Sequence, residues 1–183
     1  MTLYAFHHVI GAASGITGYR NLLILGPQAI LGTFLDKDYN FSFYDSNGLE
    51  IAPIPENDVL SDLISKTIGK SSPFHDIFGY YANGCETETY IFPEEWDNRV
   101  VRKVIDGDIS LVFPSTEDLA ISIYCADREE DAEFLDKLWD DDIIDIDILY
   151  KLLQNLADER LGDRLERVKA RIMKDLDMYV KYN

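Results

Sequence analysis

Cysteine is scarce in this 183-residue chain: Cys85 and Cys125 stand alone, with no Cys-x-x-Cys pair or Cys/His ligand spacing around them. That excludes a disulfide framework and a zinc site, and both residues read as reduced thiols. Long hydrophobic runs are missing too. No stretch approaches the roughly 18 apolar residues that a membrane span needs. No basic segment precedes an apolar one at the N-terminus, so the expected compartment is the cytoplasm, with no membrane partner. There is no lysine-bearing phosphate loop, and Ser14 and Ser72 lack a nucleophile elbow. Positive charge is the other shortage: 17 Lys and Arg face 34 Asp and Glu, for a formal net charge of −17 and a pI near 4.4. Such a surface repels nucleic acid at long range and attracts basic protein surfaces, so direct nucleic-acid binding is not expected.

What is present is a core-forming composition. Hydrophobic residues make up 46%, with eleven Tyr and nine Phe, enough to fold one globular domain over 1–183. The pattern divides it into an α/β core over about 1–114 and a helical part over about 115–183. Phe6, Val9, Ile10, Ala13 and Ile16 recur at helical spacing, predicting a first helix broken by the glycines at 15 and 18. Leu22 to Leu25 suits a buried strand. Gly26-Pro27 follows it, and proline at a first helical position starts a second helix. Tyr39 to Tyr44 alternates in the period of a half-buried strand. Val59, Leu60, Leu63, Ile64 and Ile68 predict a helix ending near Gly69. Asn83-Gly84 predicts a hairpin turn within Tyr80 to Phe92, and Asp106-Gly107 a hinge between strands at 100–104 and 109–113. From Ser115, an N-cap, the texture is helical. Further helices are expected at about 128–140, 145–156 and 159–181, the last amphipathic along Leu161, Leu165, Val168, Ile172, Leu176 and Tyr179.

Charge is concentrated. Asp127 to Asp147 carries eleven acidic residues and two basic ones, Arg128 and Lys137. The candidate interaction residues are therefore Asp127, Glu129, Glu130, Asp131, Glu133, Asp140, Asp141 and Asp142. Asp140 to Asp142, with Asp145 and Asp147, has the composition of a calcium loop but lacks its Gly and terminal Glu, so it reads as a solvated acidic turn and no metal is expected. His7, His8 and His75 sit among apolar or aromatic residues and read as packing or hydrogen-bonding groups.

Four blocks carry a family resemblance. Leu25-Gly26-Pro27-Gln28-Ala29-Ile30-Leu31-Gly32 after a strand resembles the Gly-Ser(or Gly)-Gln-Ala-hydrophobic-Leu-Gly opening of minimal-nucleotidyltransferase-like proteins of bacteria and phages. Phe74-His75-Asp76-Ile77-Phe78-Gly79-Tyr80-Tyr81 resembles their Phe-His-Glu-x-Phe-Gly-Tyr-Tyr segment. Phe92-Pro93-Glu94-Glu95-Trp96-Asp97-Asn98-Arg99 resembles Leu-Pro-x-Gly-Trp-x-x-Arg. Asp118-Leu119 through Asp131 resembles a helix pair of the pattern Asp-Leu-x-x-Ser-Lys…Ala-Gly-Arg-x-Lys-Asp. The blocks keep the family's order and span roughly residues 4 to 155. The resemblance implies a mixed sheet flanked by helices, with a helical C-terminal third.

Nucleotidyl transfer needs backbone amides to cradle a triphosphate, paired carboxylates for divalent metals and a cation for the phosphates. Against the family's pattern each of these is damaged. Pro27 has no amide hydrogen to donate after Gly26. The acidic-x-acidic pair aligns with Asn40 and Ser42, and the expected lysines align with Ile123 and Glu130. These degenerate positions imply no catalysis and no cofactor. The expected function is an acidic protein-binding module without activity, whose partner is a basic nucleic-acid-binding protein. Small proteins of this kind on phages and mobile elements resemble inhibitors of RNA-guided nucleases, anti-CRISPR proteins among them. Two alternatives stay open: an active, toxin-like transferase using Asp36, Asp38 or Asp45, and an antitoxin or structural subunit that homodimerises through its C-terminal helix.

Overall fold

A computed structural model of the chain describes residues 1–35 and 47–182. The strand expected at Tyr39 to Tyr44 lies outside them. The chain forms two compact units: Met1–Thr89 with Val100–Pro114, and Tyr90–Arg99 with Ser115–Asn183.

Among the described residues, the first unit is a five-stranded mixed sheet with helices. It opens with α1 (Leu3–Thr17), capped by the Thr2 side chain on the Ala5 amide. The helix runs through Gly15 without a break and stops at Gly18, whose φ of +72° is left-handed and whose amide closes on the Ser14 carbonyl. One glycine inside a helix costs about 1 kcal/mol, which the apolar face of Phe6, Val9, Ile10 and Ala13 easily offsets by burial. β1 (Asn21–Leu25) is buried at four of its five residues. A single 3₁₀ turn (Pro27–Ile30) and the short α2 (Leu31–Phe34) follow.

The sequence pattern missed the next strand. β2 (Gly48–Pro53) pairs antiparallel with β1, with Leu25 opposite Glu50 and Leu23 opposite Ala52. Asn57 caps α3 (Asp58–Ile68), which ends at Gly69 as expected. α4 (Pro73–Phe78), also unexpected, has Ser72 as cap and proline at its first position. The hairpin expected at Asn83-Gly84 does not form. These residues lie inside β3 (Tyr81–Gly84), which runs parallel to β2 with Gly84 opposite Ile51. Gly84 is small for a different reason: a Cβ there would collide with the Ser61 backbone of α3. The Gly84 amide donates to Ser65 Oγ, and the Asn83 side chain accepts from the Lys70 amide. β4 (Val101–Ile105) and β5 (Ile109–Phe113) form the expected antiparallel hairpin, and β5 runs parallel to β1. The strand order is β3-β2-β1-β5-β4. Leu22, Ile24, Leu49, Ile51, Ala82, Leu111 and Phe113 are fully enclosed and form its core.

The second unit is helical. α5 (Thr116–Ala126) starts at Ser115 and ends at Asp127, whose φ is +54°. A 3₁₀ turn (Glu129–Asp131) leads into α6 (Ala132–Asp140). α7 (Ile146–Gln154) and α8 (Leu165–Tyr182) complete the unit. On α8, Val168, Ile172 and Leu176 are buried, as the amphipathic spacing predicts. Among the described residues no helix is long and apolar enough to cross a membrane.

Candidate functional site

The chemistry expected of the first unit belongs at the end of β1. There the chain turns at Gly26, which has φ +66°, into Pro27. The turn needs glycine twice over: L side chains rarely adopt that backbone, and a Cβ would collide with the carboxylate of Glu50. Glu50 is therefore the acidic group that the sheet register delivers to the turn, directly across from Leu25. Strand side chains on one face recur every second residue, so a carboxylate partner for Glu50 would stand at 52. That residue is Ala52, completely buried. The turn is also short of donors, because Pro27 offers no amide hydrogen. On the far side of the turn, Gly32 lets the chain lie against Phe113; a Cβ there would meet the ring.

Among the described residues beside the turn, Glu50 supplies one carboxylate and Ala52 none, and no group of three or more His, Cys, Asp or Glu among the described residues could hold a metal ion. Asn40 and Ser42, and the alternative carboxylates Asp36, Asp38 and Asp45, lie outside the described residues. Glu50 was overlooked because Leu49-Glu50-Ile51-Ala52-Pro53 is a short apolar run with one acid that ends on a proline, and no period marks it as a strand.

The histidines do local work. His7 Nδ1 lies 3.0 Å from Asp106 Oδ1, and His8 Nδ1 lies 2.7 Å from the Tyr80 hydroxyl. His75 Nδ1 accepts from the Ser71 amide at 3.1 Å.

The motif residues of the second unit hold helices together. Arg99 grips Asp118 with two parallel bonds, Nε to Oδ2 at 2.9 Å and Nη2 to Oδ1 at 2.7 Å. Ser115 Oγ donates to the same carboxylate at 2.7 Å and accepts the Asp118 amide at 3.1 Å. Asp118 is 0% exposed, so the forked pairing compensates a buried charge, and it holds the guanidinium above its already high range. Two of the sequence blocks, the one ending in Arg99 and the one opening at Asp118, are thus one ion pair. Ile123, where a lysine is expected, is a buried core residue of α5. Glu130 lies exposed in the 3₁₀ turn, three residues beyond the end of α5 region at Asp127.

The acidic segment is sorted by the fold. Asp127 is held by Arg171 at 3.0 Å and Arg167 at 3.6 Å. Asp141 pairs with Lys137 at 3.3 Å, and Asp142 accepts the Tyr179 hydroxyl at 2.5 Å. The expectation for Asp131 is corrected: it is 4% exposed, tucked under the start of α6, and cannot meet a partner. Asp145 caps α7 by accepting from the Ile148 amide. Glu129, Glu133 and Asp140 are exposed, and so is Asp136, which is not among the residues expected from the sequence. Glu133, Asp136 and Asp140 recur at spacings of three and four along α6, which places them on one side of that helix, and Glu129 precedes them in the 3₁₀ turn.

Residues 51–182, well over half of the chain, match the family described as nucleotidyltransferase of unknown function (DUF6036). The match begins just after Glu50. No curated protein and no solved structure matches the chain.

Proposed function

The chain belongs to this family of nucleotidyltransferases of unknown function, and on that premise we propose that it is a member without transferase activity that works as an acidic binding module. The observation that carries the reading is the β2 strand beside the Gly26 turn: Glu50 is there, and Ala52 stands where a second carboxylate would complete a pair. One carboxylate contributes a single negative charge toward a divalent ion, and a proline after Gly26 removes an amide from the phosphate cradle.

The binding side rests on Glu133, Asp136 and Asp140 along α6, with Glu129 in the 3₁₀ turn before it. One carboxylate per helical turn is about one charge per 5.4 Å, approaching the one per 3.4 Å that a DNA strand presents along its axis. Such a stripe suits the basic channel of a nucleic-acid-binding protein, and an RNA-guided nuclease is the partner class to test.

Two measurements decide the matter. Calorimetric titration with each magnesium nucleoside triphosphate is expected to give no binding heat; saturable binding abolished by Asp36→Ala would restore the transferase reading. Cleavage by a purified RNA-guided nuclease, followed over a salt series, is expected to be inhibited most strongly at low salt. Absence of inhibition at about 50 mM salt, where electrostatic binding is strong, would remove that partner class.

A further inference from the structure

Independently of that reading, we propose that the outer face of α1 joins two copies of this chain about a two-fold axis. α1 contains no charged residue over fifteen positions, in a protein where 28% of residues are charged. Its outward stripe nevertheless meets solvent. Tyr4 is 76% exposed, His8 is half-buried, and Gly11 and Gly15 are exposed, with nothing within 4 Å of where a Cβ would be. The spacing of four, three and four puts all of them on one side of the helix. The apolar surface continues onto α4. Phe78 packs its ring 4.7 Å from that of His8 and is itself 45% exposed.

The stripe is complementary to itself. Its N-terminal half is raised by rings and its C-terminal half is hollow. When two α1 helices cross antiparallel with the axis midway between residues 8 and 11, Tyr4 of each copy meets Gly15 of the other, and His8 meets Gly11. A two-fold contact requires such reciprocity, since each patch must fit its own image. Charge selects the occupant. A basic partner would be drawn to the acidic surfaces and would gain nothing from a neutral helix. Two chains of net charge −17 repel wherever carboxylates face each other, which favours contact along a helix that carries none of its own.

The test is light scattering and sedimentation of the full chain over a concentration series at low and high salt. A dimer is expected, and it should tighten as salt screens the repulsion between copies. Tyr4→Glu and Gly15→Leu should each weaken it by about tenfold or more, the effect of losing a central anchor. A Cβ at position 15 meets no atom within 4 Å and leucine raises helix propensity, so loss of the dimer in Gly15→Leu, with an unchanged or higher melting temperature, is not misfolding. A monomer at about 1 mM protein in high salt would overturn the proposal, because only affinities too weak to matter lie beyond that concentration. A dimer untouched by both variants would overturn it as well.

Discussion

The Gly26 turn of the first unit and the Arg99–Asp118 pair of the second differ in how their charged groups are partnered. At the turn, Gly26 has a positive φ and Glu50 lies across from it, while Pro27 offers no amide hydrogen and Ala52 no carboxylate. At the ion pair every partner is present. Arg99, Asp118 and Ser115 form four hydrogen bonds around a fully buried carboxylate. A sequence block can therefore mark a backbone turn in one place and a buried ion pair in another, and only the partners of each side chain distinguish the two.

The largest expected effect tests the ion-pair half of that contrast. Asp118→Ala leaves the Arg99 guanidinium and the Ser115 hydroxyl without their acceptor, and breaking such a pair costs about 3–5 kcal/mol. Thermal unfolding should begin about 10 °C lower. The double variant Arg99→Met with Asp118→Leu should recover most of the loss, because apolar replacements leave no uncompensated charge. A single variant that unfolds at the normal temperature would break the comparison, and Arg99–Asp118 would then need a functional explanation.

These two regions also show what a sequence discloses. Helices with a cap and a period were legible: α3 from Asn57 to Gly69, α5 from Ser115, and α8 from its apolar stripe. The β4–β5 hairpin was legible because Asp106-Gly107 is a turn, and both residues have positive φ. Asn83-Gly84 misled because a glycine required by the close approach of α3 looks the same in sequence as one required by a turn. β2 was invisible because its pairing is with β1 on one side and β3 on the other, and neither partner is local. Glu50 was lost with it. In the acidic segment, composition located the charge but could not separate Asp131, which is buried, from Asp136, which is exposed. Position relative to α6 decides that, and a five-residue shift is enough.

The turn itself can be probed without catalysis. Gly26→Ala asks an L residue to hold φ +66° and drives its methyl group into the Glu50 carboxylate. A positive φ with ψ near 180° is a region essentially confined to glycine and costs another residue about 1–3 kcal/mol, and displacing the carboxylate adds to it, so a loss of about 2 kcal/mol or more is expected in urea unfolding. Glu50→Ala removes the obstacle but not the strain, and the double variant should regain only part of the loss. Full additivity of the two substitutions would show that Glu50 does not lean on the turn, and the contrast with Asp118 would lose its structural basis in the first unit.

The smallest effect is a pH dependence in the second unit. Burial pushes the Cys125 thiol up to about 12, with Asp158 adding to the shift and Arg164 and Arg160 opposing it. An unfolded cysteine titrates near 8.5, so the neutral thiol contributes fully below that pH. Between the two values the unfolded chain loses a proton that the folded chain keeps, and stability falls as pH rises, by at most about 1.4 kcal/mol per pH unit for one group. From pH 8.5 to 9.5 the loss should be about 1 kcal/mol, since the thiol is only partly ionised at the start. Cys125→Ala should flatten that slope while lowering stability by a constant amount through the small cavity it leaves. The slope rather than the offset is the readout, because a packing defect is independent of pH. An unchanged slope in the variant would mean that the alkaline titration belongs to another group, with buried Tyr124 the next to substitute, since its phenol is also raised by burial.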